Sequence, residues 1–433
     1  MICENISVNE KGHLCFAGLD TVELAEKYGT PLYLMDENRI RERVRTYKNS
    51  LTAAFGKDAK VLFASKAASF RQMYRIMKEE KIGIDVVSSG EIYTALSAGY
   101  DISGAYFHSN NKTDEDIEYA IDNSIGYFVV DNVEELYAID RIAGEKAVCQ
   151  KVLLRLTPGI DPHTYEAVAT GKVDSKFGSA IETGQAEEIT KIAISLKNIK
   201  LSGFHTHIGS QMFDSTVFID GAKIMLEFIA DMKKKLGYEA EELDLGGGYG
   251  VRYTAADPEI DIAENIVLVG EYVKNKCREL GISVPAIRME PGRSIVADAG
   301  MTLYTVGTVK RIPGYKNYVS VDGGMSDNPR FALYGSQYTI YLANRMNCDG
   351  DTFNCSVVGR CCESGDIIQE DITLPADVRR GDIVAVLTTG AYNYSMASNY
   401  NRIARPPVVM IKDGQSYIAV SRETLEDICK NDL

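Results

Sequence analysis

Lys66 stands in the run Phe63-Ala64-Ser65-Lys66-Ala67, with apolar neighbours on both sides. A lysine at the end of a buried strand is partly desolvated, which lowers its pKa toward the neutral amine that Schiff-base chemistry requires; the bland alternative is a side chain snorkelling from a strand end. Downstream, Leu243-Asp-Leu-Gly-Gly-Gly-Tyr-Gly250 can bring its backbone close to an anion and aim several amide N–H groups at it, with Gly248 near the centre. Glu290-Pro291-Gly292-Arg293-Ser294 then sets a carboxylate and a guanidinium in one short turn. Arg293 suits a phosphate or a carboxylate, and Glu290 suits holding a proton on a ring nitrogen; an ordinary surface ion pair is the alternative.

His205 and His207 are two apart and, on one strand, would share a face. That spacing binds zinc in some barrel hydrolases, but an imidazole lying flat on a cofactor ring, followed by Gly209-Ser210 for a phosphate oxygen, uses the same residues better. No metal is expected. Two turn segments, Cys361-Cys362-Glu363-Ser364 and Gly390-Ala391-Tyr392, add polar or reactive groups. Adjacent cysteines are too strained for an ordinary structural disulfide, so at least one free thiol is expected there; a small buried apolar residue is its commonest other fate.

Something must hold these groups together. Eight short apolar runs, at 61–67, 82–88, 105–111, 126–132, 151–159, 201–210, 241–250 and 286–294, alternate with amphipathic segments at 69–80, 89–98, 113–123, 133–142, 184–197, 215–236 and 263–280. This is the arithmetic of an α/β fold, a (β/α)8 TIM-like barrel. A doubly wound sheet has the same βαβ units. However, Lys66, Ser88, His108, Asp131, His207, Gly246 to Gly248 and Glu290 fall at the C-terminal ends of their strands all around the series, which a barrel gathers at one mouth. After residue 300 the pattern becomes short strands with period-two alternation between Gly, Asp and Asn turns, and residues 6–18 read as a hairpin. The expected organisation is a barrel over 31–295 and a discontinuous all-β domain, a sandwich or small barrel, over 1–30 and 296–433.

The chain has 433 residues, 45% hydrophobic and 25% charged, and no apolar run approaches the roughly 20 residues of a membrane span. Its net charge of -14 leaves no general basic surface for nucleic acid or anionic lipid, so an anionic ligand needs a local cluster. Nine cysteines without a CxxC pair, and a start lacking basic and then apolar stretches, lead to the expectation of a cytoplasmic protein.

In order and spacing, TPLYLMD at 30–36, Lys66 in FASKA, DVVSSGE at 85–91, SKFG at 175–178, HIGSQ at 207–211, the glycine run, EPGRS, DGGMSDNPRFALY ending at Tyr334, CES at 362–364 and GAY at 390–392 resemble the fold-type III pyridoxal-phosphate decarboxylases. Among them the resemblance is greatest to the diaminopimelate decarboxylases. It implies pyridoxal 5'-phosphate bound covalently by Lys66, with His207 stacked on its ring and Ser210, Gly248, Glu290, Pro291, Gly292 and Arg293 holding its phosphate and ring nitrogen. It further implies Arg293, Arg330, Tyr334, Glu363 and Tyr392 on an amino-acid substrate, Tyr392 also touching the cofactor. Cys362 is implied as the proton donor, reaching with Glu363 into a partner's barrel, so that a homodimer shares its active sites. Two positions depart from the family's usual pattern, Ala68 in place of asparagine and Arg360-Cys361 in place of a proline before the Cys-Glu-Ser loop. Neither removes a group that performs chemistry, although Cys361 leaves two candidate thiols.

Alanine racemases resemble this layout but carry arginine at the ring nitrogen, where a glutamate here favours decarboxylation. Ornithine-type enzymes usually show Cys-Asp where this chain has Cys362-Glu363. The expected reaction is conversion of meso-2,6-diaminopimelate to L-lysine and carbon dioxide. The alternatives are a related decarboxylase acting on ornithine, arginine, D-lysine, D-ornithine or a carrier-linked glutamyl group, and a non-catalytic pyridoxal-phosphate-binding regulator.

Overall fold

A computed structural model describes residues 2–160, 173–347 and 350–433. Eight parallel strands, Lys60–Ala64, Gly83–Val86, Tyr106–Phe107, Tyr127–Val130, Gln150–Thr157, Ile199–His205, Glu242–Asp244 and Ala286–Met289, form a closed ring. The eighth returns to the first through Arg288 opposite Lys60 and Met289 opposite Val61. Closure rules out the open doubly wound sheet. Because every strand runs the same way, all eight C-terminal ends meet at one mouth.

The helices between strands begin and stop at local chemistry. Asp214 accepts the Thr216 amide at the start of Ser215–Leu236, and Gly237 ends that helix at φ 66° with Lys233 to Lys235 on its last turn. Asp261 and Gly281, the latter at φ 64°, do the same for Ile262–Leu280. Inside the ring, Leu62, Tyr106, Val129 and Leu153 pack together. Beside them the Tyr106 and Tyr127 rings stack at 4.4 Å, and their hydroxyls donate to Glu242, which also pairs with Arg288 at 3.0 Å. These buried polar groups satisfy one another. Gly203 is required there, since a Cβ would lie 1.9 Å from the Glu242 carbonyl oxygen.

Residues 43–250 and 259–294 form the barrel unit, and residues up to 42 together with 251–258 and 295–433 form a second unit. The expected barrel start at residue 31 therefore moves. Leu32–Asp36 pairs antiparallel with Gly300–Arg311 and parallel with Val408–Lys412, so its backbone hydrogen bonds belong to the second unit's sheet. That sheet runs in the order 367–375, 352–358, 317–321, 300–311, 32–36, 408–412, 415–420, with 383–387 bridging 300–311 and 340–342. Leu32, Leu34, Met301, Leu303, Leu387, Val409 and Ile411 fill its core. The hairpin of 6–8 with 14–16 is present. It leads into a helix at Thr21–Tyr28, capped by Asp20, where only β structure was expected.

Candidate active site

The first barrel strand stops at Ala64, and Lys66 sits in the single 3-10 turn Ser65–Ala67 that follows. Its side chain is exposed, while Ser65 and Ala67 are buried. The positive charge of Lys66 reaches Asp85 and Glu91 beyond the second strand's start and His205 and His207 at the sixth. Glu91 is held near a pKa of about 7 by burial, against the pull of Lys66 and the Val87 amide.

The sixth strand ends at His205, so the two histidines do not share one strand face as expected. His205 turns to Glu290, Nε2 to Oε2 at 3.1 Å. The His207 ring instead accepts a hydrogen bond at Nδ1 from the Gly247 amide, 3.3 Å away, and burial together with the charges of Lys66 and Arg155 holds its pKa well below the usual histidine value.

Glu290 follows the eighth strand, its amide donating to the Gly246 carbonyl at 2.8 Å. His108, after the third strand, brings Nε2 to 2.6 Å from Glu290 Oε1 and 3.8 Å from Asp85 Oδ1. Burial favours the neutral form of Glu290, yet the imidazoles of His108 and His205 outweigh it and keep the carboxylate well below its ordinary range. Asp85 and Asp244 behave oppositely: burial pushes Asp85 up to about 6, and burial with the neighbouring Glu290 drives Asp244 well above its ordinary value. The ligand atoms of His108, His205 and Glu290 lie within 4.8 Å of one another, a set of metal-binding type that sequence reading had not assembled.

Arg293 donates from Nε and Nη2 to Ser210 Oγ, at 3.1 and 2.9 Å. Gly248 lies beside them at φ 128°, where a Cβ would come within 2.4 Å of the Gly209 carbonyl oxygen. Gly292 packs on the Lys66 turn, a Cβ there meeting Ala64 and Ala67 at 3.0 and 3.1 Å, and the Pro291 carbonyl accepts the Ala64 amide at 3.2 Å. The glycine run, the 290–293 turn and the Lys66 turn thus form one continuous rim. In the SKFG segment Phe177 stacks on the Arg155 guanidinium at 4.3 Å, and the Gly178 amide donates to Asp131. Asp85 opens the DVVSSGE motif but was given no role from sequence, and Arg155 lies within a strand run and carries no motif of its own. His163 lies outside the described residues.

The second unit holds the other expected residues. Arg330 is buried, its Nε lacking a hydrogen-bond partner, with its guanidinium 5.2 Å from the Tyr392 ring and 5.4 Å from that of Tyr334. Tyr392 takes the left-handed conformation at φ 68°. Cys361 and Cys362 are both free thiols. Cys361 is half-buried and pushed up to about 11 by burial and by Asp366, whereas Cys362 is exposed, its amide donating to Asn401. Glu363 is exposed and accepts from the Ser364 hydroxyl and the Gly365 amide.

Residues 37–297 match the family described as pyridoxal-dependent decarboxylase, pyridoxal binding domain. A diaminopimelate decarboxylase of Bacillus methanolicus is 48% identical over 417 residues, 96% of each chain, and that of Bacillus subtilis is 45% identical over 98% of this chain and 96% of its own. The chain belongs to the diaminopimelate decarboxylases. The crystal structure of the M. jannaschii diaminopimelate decarboxylase in complex with L-lysine superimposes with a TM-score of 0.90 at 32% identity, covering 100% of this chain and 98% of that one.

Family membership makes this a pyridoxal-phosphate enzyme, and the barrel residues fit that group. Glu290 Oε1 and both Asp85 oxygens are buried without a well-formed hydrogen bond, as a protonated ring nitrogen would require of its surroundings. A phosphate fits the Arg293, Ser210 and Gly248 rim, where a cation and close backbone approach coincide.

Proposed function

We propose that this decarboxylase removes carbon dioxide from meso-2,6-diaminopimelate and releases L-lysine. The observation that carries the reading is Glu290, a buried carboxylate held ionised by two imidazoles at the mouth of the barrel that also presents Lys66. When bound, pyridoxal phosphate supplies an electron sink for the pair left at the α carbon as the carboxylate departs.

Each residue then has a task. Lys66 would hold the cofactor covalently. Glu290 would keep the ring nitrogen protonated, His207 would serve the ring as a neutral imidazole, and Arg293, Ser210 and Gly248 would anchor the phosphate, with Pro291 and Gly292 shaping the turn. Arg330, with Tyr334 and Tyr392 against its guanidinium, receives the distal carboxylate. Cys362 delivers the proton that replaces carbon dioxide, and Glu363 binds the distal amine. The resemblance to the family supports a homodimer in which Cys362 and Glu363 serve the partner's barrel, working in the cytoplasm.

Carbon dioxide release measured with meso-diaminopimelate, ornithine, arginine and D-lysine tests the reading. Turnover of meso-diaminopimelate far above the others is the expected result. Preference for another amino acid overturns the substrate, and release from none of them favours a regulatory pyridoxal-phosphate protein.

A further inference from the structure

Glu290 is gripped from two sides by residues of two other strands. His205 ends the sixth strand and bonds Oε2 at 3.1 Å; His108 follows the third and stands 2.6 Å from Oε1; and the two imidazoles meet edge to face with ring centres 4.8 Å apart. All three side chains are buried. The charged or titratable groups around them are Asp85, Asp244, Arg155, Lys66 and His207, and Asp85 offers His108 a second carboxylate at 3.8 Å.

A carboxylate removed from water at a barrel mouth otherwise takes up a proton, and a neutral glutamic acid cannot hold a proton on a ring nitrogen. It also has freedom about its side-chain torsions unless both oxygens are held. An imidazole on each side removes both problems. His205 Nε2 donates to Oε2 at 3.1 Å, fixing one oxygen. His108 Nε2 stands 2.6 Å from Oε1 without a formed hydrogen bond, so Oε1 keeps acceptor capacity for another donor.

We infer that His108 and His205 are positioning residues for Glu290, holding its carboxylate ionised and turned so that Oε1 meets the cofactor's ring nitrogen. The inference rests on the assignment of Glu290 to that nitrogen. The role assigned to both histidines is exerted through Glu290. Their effect is confined to how strongly the site favours a protonated ring nitrogen, and this distinguishes them from residues that merely keep the barrel folded.

The test compares binding of pyridoxal 5'-phosphate with that of its 1-deaza analogue, which carries CH in place of the ring nitrogen, to cofactor-stripped protein followed by fluorescence quenching. The wild type should prefer the natural cofactor. In Glu290→Gln that preference should collapse. His205→Leu should lower it by roughly ten- to a hundredfold, the worth of a hydrogen bond to a charged group, and His108→Leu should lower it as well. His205→Gln, which retains an N–H donor, should recover much of it. An undiminished preference in both leucine variants, with a collapse in Glu290→Gln, overturns the inference and leaves the assignment of Glu290 standing. An undiminished preference in Glu290→Gln overturns the assignment itself. If the leucine variants do not fold, nitrogen-15 spectra of histidine-labelled wild type and Glu290→Gln decide. The His205 Nε2–H and His108 Nε2 signals should shift together when the carboxylate is removed, and signals that stay in place overturn the inference.

Discussion

The Gly247 amide donates to His207 Nδ1 across 3.3 Å, and this contact determines which nitrogen of the ring carries the proton. With Nδ1 accepting, the neutral ring must be protonated at Nε2, and burial beside Lys66 and Arg155 resists a second proton. His207 should therefore remain a neutral Nε2–H imidazole across the pH window around 6.5 in which an unperturbed histidine titrates. Nitrogen-15 shifts of the labelled ring check this; a titration step within that window would show that the ring charges.

Lys66 is the expected covalent attachment point. Lys66→Ala should abolish both the visible absorbance of the bound cofactor and its fixation by borohydride. Peptide mapping of the borohydride-treated wild type should find the label on Lys66, and a label on another lysine refutes the assignment.

Arg330 is buried with two tyrosine rings against its guanidinium, so an anion bound there is largely out of water. Losing a desolvated arginine from a carboxylate costs about 2–5 kcal/mol, so Arg330→Ala should lower kcat/KM for meso-diaminopimelate by roughly 30-fold to several thousand-fold. Steady-state kinetics measure it. Unaffected turnover removes Arg330 from the distal-carboxylate role.

Exposure of Cys362 on a turn leaves it accessible to a second chain. Mixing inactive Lys66→Ala with inactive Cys362→Ala subunits should restore activity, because a heterodimer pairs an intact Lys66 with the partner's intact thiol at one of its two sites. The ceiling is about half of wild type per heterodimer under two-fold symmetry. No recovery after demonstrated subunit exchange would mean that each chain completes its own site or that Cys362 is not the acid.

Asp327 is buried in the second unit, accepting from the Tyr304 hydroxyl and the Gly324 amide, and burial raises its pKa from 3.8 to about 7. The folded protein therefore holds this proton more tightly than the unfolded chain. The associated stability is fully present below about pH 4 and is lost as pH rises toward about 7. Asp327→Asn keeps an acceptor and removes the titration. Its stability relative to wild type should increase by on the order of 1–4 kcal/mol between those limits. Urea unfolding across that range is the measurement, and a wild type that gains on the variant with rising pH would contradict the assignment.

Much of the fold was legible because its determinants are local. Helix Ser215–Leu236 was expected at those residues from its amphipathic pattern, and the Asp214 cap and Gly237 stop that bound it lie within the same 24 residues. The glycine run was legible because close backbone approach is a requirement that only glycine meets, and the 290–293 turn because its carboxylate and guanidinium stand in one short stretch. The strand Leu32–Asp36 was different. Its apolar pattern suits either unit, and only its hydrogen bonds to strands nearly 270 and 380 residues away assign it. The grip of His108 and His205 on Glu290 likewise has no sequence signature, because the three residues lie at or just after the ends of the third, sixth and eighth strands and meet only when the ring closes. Residue type and short-range spacing thus determined by themselves which groups this chain could use and which elements carry them. Which groups touch, and hence which carboxylate stays charged, was decided by the tertiary structure, since a pKa depends on desolvation and on neighbours that a linear chain does not bring together.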